Sequence, residues 1–92
     1  MPRPTRARPR DLVPGWPDGP AADPVAEVAR RFAANLRTVD GSARAIARAS
    51  GIHQSTVIGI LDGAKWPDLE TIAKLEHGLQ KDLWPGRAAS AK

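Results

Sequence analysis

Gln54, Ser55 and Thr56 stand side by side just after Gly51-Ile52-His53, a run of three neutral side chains that all form hydrogen bonds. A carboxamide donates and accepts at once, and a hydroxyl does either. Around them the chain places cations: Arg44 and Arg48 four residues apart, Lys65 further on, and Arg3, Arg6, Arg8 and Arg10 within the first ten residues. Groups of this kind recognise and hold a partner. Bond-breaking chemistry asks for a nucleophile beside a base, paired carboxylates in a cleft, or a metal constellation, and no such pattern is visible. There is no cysteine. His53 and His77 fall on different elements, and Asp68 and Glu70 read as the acids of a helix first turn. An enzyme is not expected, nor any cofactor, structural metal or disulfide.

The stretch Ser42 to Gly63 must position these residues, and it reads as two short helices around a tight turn. Ala43, Ile46, Ala47 and Ser50 lie on one stripe of a helix that Ser42 would cap. Gly51 breaks the pattern where the chain turns. The second helix is expected from about Gln54 to Leu61, burying Val57, Ile60 and Leu61 and turning Gln54, Ser55, Thr56 and Ile58 outward. Ala47 is small where the two helices would come closest.

The remaining elements frame this pair. Six prolines before Asp23 rule out helix or central strand there, so residues 1–23 read as a basic, proline-rich arm. A disordered, solvated tail is one reading of it, and an arm following phosphates or a minor groove is the other. Leu12, Val13 and Trp16 suit neither, and would suit a segment that folds back. Asp23-Pro24 starts a helix to about Thr38, with Val25, Val28, Ala29, Phe32, Ala33 and Leu36 inward and Glu27, Arg30, Arg31, Asn35 and Arg37 outward. Asp62-Gly63 ends the second short helix. Trp66 reads as packing. Asp68 caps a fourth helix whose inner face carries Leu69, Ile72, Ala73, Leu75 and Leu79, interrupted at Glu76 and weakened near its end by Gly78. Asp82 to Pro85 reads as a turn or fifth helix laying Leu83 and Trp84 on the core, before a polar tail over 86–92.

With these elements in place, Ile46, Ala47, Gly51, Ile52, Val57 and Ile60, followed by Asp62-Gly63 and Trp66-Pro67, resemble the helix-turn-helix of phage repressors and the related XRE class of bacterial regulators. The resemblance covers about residues 24–85. It implies an all-α, compact, four- to five-helix repressor-like domain whose second motif helix enters the major groove of double-stranded DNA. On that geometry Gln54 and Ser55 reach base edges. Glutamine suits adenine N6 and N7, serine or threonine suits almost any base, and Ile58 would meet a thymine methyl. Arg44 and Lys65 would contact phosphate, and His53 would do so when protonated. Where the family often has a glutamine at the first position of the first motif helix, this chain has Ala43. The alternatives are plain: Gln54 as a polar residue of a helix first turn, and Arg44 and Arg48 as a solvated face.

Composition agrees with this class and excludes others. Ninety-two residues make one small domain. The net charge of +4 suits a polyanion. It is densest at the N-terminus, where residues 1–22 hold four arginines against two aspartates. No apolar run approaches the roughly 20 residues of a membrane span, so a cytoplasmic protein is expected. A transcriptional regulator working as a homodimer on two half-sites is the expected function, with the end of the fourth helix and Leu83-Trp84 as the interface. The alternative is a protein-interaction module, such as an antitoxin or adaptor, docking through the Trp16 and Trp84 surfaces.

Overall fold

A computed structural model describes residues 7–87 of the chain. Among the described residues every regular element is helical: a short 3-10 helix Pro9–Leu12, then α1 Pro24–Arg37, α2 Ala43–Ser50, α3 Gln54–Leu61 and α4 Leu69–Leu79. Among these residues the all-α expectation is borne out with four α-helices, and 82–86 form no further helix.

Local chemistry sets the boundaries. Asp23 accepts from the Val25 amide at 2.9 Å, Ser42 from Ala45 at 3.1 Å and Asp68 from Thr71 at 2.8 Å, so three helices start on a side-chain cap. α2 stops where Gly51 takes φ +70°, and α3 where Gly63 takes φ +71°. Past the α3 end, the Ala64 amide returns to the Gly59 carbonyl and the Gly63 amide to Ile60, the paired bonds of a Schellman motif.

One core lies between the helices. Phe32, Ala33 and Leu36 of α1, Ile46 and Ala47 of α2, Val57 and Ile60 of α3, and Ile72 and Leu75 of α4 meet there, with Leu83 closing it. Leu83 is held from both sides. Its amide and that of Trp84 donate to the Glu76 carboxylate at 2.7 and 2.8 Å, and its carbonyl accepts from the Asn35 side chain at 2.8 Å. Glu76, which interrupts an apolar face, therefore anchors the C-terminal segment.

Several expectations about faces need correction. Val25 and Leu69 point outward, at 55% and 82% exposure, and Ala73 is exposed. Trp84 is half-exposed rather than laid on the core. Ala26 and Glu27 are buried instead, and Arg30, Arg31 and Asn35 are only partly exposed. On α1 the N-terminal segment is what covers Glu27 and Arg30. From residue 8 to 21 it packs on the domain and covers a side of α1 that would otherwise be solvated: Val13 is 1% exposed, Pro9 and Pro17 are buried, and the Pro17 carbonyl accepts from Arg30 at 3.0 Å. A division at residue 23 between arm and domain is thus corrected over these residues, which are part of the folded unit. Arg3, Arg6 and the tail beyond Arg87 lie outside the described residues.

Candidate nucleic-acid interface

The α2–α3 pair is two eight-residue helices joined by Gly51, Ile52 and His53. Ala47, Val57 and Ile60 are buried at the centre of the pair, which fixes the faces that remain. On α3 Gln54 and Ser55 are exposed and Ile58 keeps 41% of its surface in solvent. Thr56, expected on the same outer face, is half-buried. His53 occupies the N-cap, and its exposed side chain makes no capping bond.

Arg44, in the first turn of α2, and Arg48 in its last are both exposed. Neither they nor Lys65 enter an ion pair among the described residues. Lys65 follows the α3 Schellman turn, and its amide also returns to the Gly59 carbonyl at 3.1 Å. The structure thus places a neutral hydrogen-bonding surface on α3 and unpaired cations on the adjoining α2 and on the turn that leaves α3.

Arg8 does not belong to that set of cations. Its guanidinium is tied to the Asp11 carboxylate, with Nε and a terminal nitrogen each at 3.1 Å, and this pairing holds Asp11 below the usual carboxylate range. Arg10 works within the fold as well. Its amide donates to the Gly63 carbonyl at 3.0 Å, and its side chain lies toward the Asp62 carbonyl. Trp16 completes the contact by donating from Nε1 to the Leu61 carbonyl at 2.8 Å. Three successive carbonyls at the C-terminus of α3, which no intrahelical amide satisfies, are therefore met by the N-terminal segment. Gly63 gives it room: a Cβ there would lie 2.7 Å from the Trp16 indole.

This capping was missed in the sequence, where Trp16 within a proline-rich stretch was the available signal. The half-buried Trp16 indole is thereby committed to the end of α3. Trp16→Ala should destabilise the fold by roughly 2 kcal/mol through lost packing and a lost bond to Leu61. Trp16→Phe should cost less, about 1 kcal/mol, because it keeps part of the ring packing while losing the hydrogen bond. Urea midpoints of the two variants check this, and equal midpoints for Trp16→Ala and the parent protein would remove the capping role.

A second surface is apolar. A groove of about 450 Å³ is lined by Val25, Val28, Phe32, Trp66, Ile72 and Trp84, among others, and by no residue of α2 or α3. No described helix is long and apolar enough to cross a membrane. In comparisons with known proteins, no family model, curated protein or solved structure matches the chain.

Proposed function

We propose that this protein is a sequence-specific double-stranded DNA-binding regulator of the phage-repressor or XRE type, with α3 as the helix that reads the major groove. The observation that carries the reading is the surface of α3: Gln54, Ser55 and Ile58 exposed together, beside the unpaired cations Arg44, Arg48 and Lys65. The division of labour follows from chemistry. Cations on phosphate give affinity without sequence, and an amide or hydroxyl on a base edge gives sequence. His53 stands exposed at the α3 N-terminus, where the helix dipole favours a phosphate.

Two copies would act on one site, because an eight-residue helix reads only a few base pairs. Leu83 is fully buried and is not available to join them. The apolar groove flanked by the half-exposed Val25 and Trp84 is the face we assign to the second copy, since its occupation leaves α2 and α3 open. A stable dimer that does not bind DNA would instead favour the interaction-module reading.

Selection of bound duplexes from random sequence, followed by Gln54→Ala on the best of them, tests the proposal. The variant should lose about 1–3 kcal/mol on the selected duplex and little on random DNA, with relaxed preference at one base pair. Arg44→Ala should weaken both about equally. An equal loss for Gln54→Ala on both duplexes, with the preferred base unchanged, would place sequence readout elsewhere.

A further inference from the structure

The last turn of α3 holds a glycine, Gly59, at a place where helix formation favours almost any other residue. Its backbone is helical and does not require glycine for its φ. It is nonetheless buried, and what buries it is Lys65: a Cβ on residue 59 would lie 2.7 Å from Lys65 Cδ, 2.8 Å from Cγ and 3.2 Å from Cε. Those are the three nearest atoms, so the lysine stem lies flat in the notch that the missing side chain leaves. The backbone is pinned to the same point, because the Ala64 and Lys65 amides both return to the Gly59 carbonyl.

Residue 59 follows Thr56 by three and Ser55 by four, so the notch lies on the helix stripe that carries Ser55. A lysine stem is long and flexible, and holding it in one arrangement restricts its rotamers. Here the restriction is built into the free protein by a notch one methyl group deep.

We infer that Gly59 is a positioning residue: its notch seats the Lys65 stem along α3, so that the ammonium, one bond beyond Cε, is delivered to a phosphate beside the groove that α3 enters. The inference rests on the DNA-binding reading and adds to it a residue that touches no DNA. Gly59 sets affinity through Lys65, and sequence preference is untouched.

The test compares the parent protein, Gly59→Ala, Lys65→Ala and the double variant on the selected duplex and on random DNA over a series of salt concentrations, with urea midpoints for each. Alanine is the better helix former, so Gly59→Ala should fold at least as well as the Lys65→Ala protein. The two single variants should bind both duplexes about five-fold more weakly at 0.15 M salt and lower the salt slope by about one each. The double variant should be no weaker than either, because both changes remove the same contact. A Gly59→Ala protein that keeps the parent's slope while Lys65→Ala loses it would overturn the inference and leave the DNA reading standing. Additive losses in the double variant would overturn it equally. A parent protein with no salt-dependent DNA binding would overturn both.

Discussion

Glu27→Ala is expected to destabilise the fold by roughly 3 kcal/mol, the scale for removing one partner of a buried ion pair. Glu27 is 6% exposed and both its oxygens are engaged. Oε1 accepts from Arg30 Nε at 2.8 Å and from the Ala21 amide at 2.9 Å, and Oε2 accepts from Arg31 Nε at 2.8 Å. Truncation leaves the Arg30 guanidinium, whose side chain is 15% exposed, with the Pro17 carbonyl. It also releases the N-terminal segment at Ala21. The pH dependence follows. The hydrogen bonds from Arg30 first, and then those from Ala21 and Arg31, outweigh burial and lower the Glu27 carboxyl from 4.5 to about 2. A folded-state value below the unfolded one means stability that is fully present above about pH 4.5 and is lost as pH falls toward 2. The amount at stake is at most about 3 kcal/mol. Urea midpoints between pH 6 and pH 2.5 should fall for the parent protein and fall distinctly less for Glu27→Gln. Parallel curves for the two would refute the role given to Glu27.

Gly78→Ala should be nearly as costly, about 2–3 kcal/mol, against a helix propensity that by itself favours alanine by roughly 1 kcal/mol. The sign decides the matter. A Cβ on residue 78 would lie 2.6 Å from Ser50 Cα and 2.9 Å from the Ala49 carbonyl carbon, and would press on the Ala49 carbonyl oxygen. These are backbone atoms of the last turn of α2, which cannot rotate aside as a side chain would. α4 must then move off α2 or unwind at its end, where Leu79 packs on the core and Glu76 holds Leu83 and Trp84. A thermal melt should show a fall in Tm on the order of 10 °C. A rise would mean that propensity governs this site and that the close approach is relieved cheaply.

The sequence read well where one element decided its own structure. Ser42, Asp23-Pro24 and Asp68 announced helix starts through their own side chains, and Gly51 and Gly63 announced stops. The stripe Ile46, Ala47, Val57, Ile60 located the α2–α3 pair and, by exclusion, the outward Gln54, Ser55 and Ile58. It read poorly where a distant segment decided the outcome. Nothing local to α1 says that Glu27 and Arg30 are covered, because the cover comes from Val13 and Pro17, and a proline-rich stretch looks alike whether it packs or not. Gly78 was legible only as a weak helix former, since the α2 backbone it meets is 28 residues back in the chain. Gly59 is illegible in the sequence for the same reason: a notch has meaning only with Lys65 lying in it.

The most direct measurement is equilibrium binding of the unaltered protein to its selected duplex and to a scrambled duplex of equal length and composition, each over a range of salt concentrations. The account predicts affinity for the selected duplex at least about a thousand-fold above the scrambled one, with both affinities falling steeply as salt rises. Equal affinity for the two duplexes, or binding to neither, would contradict it.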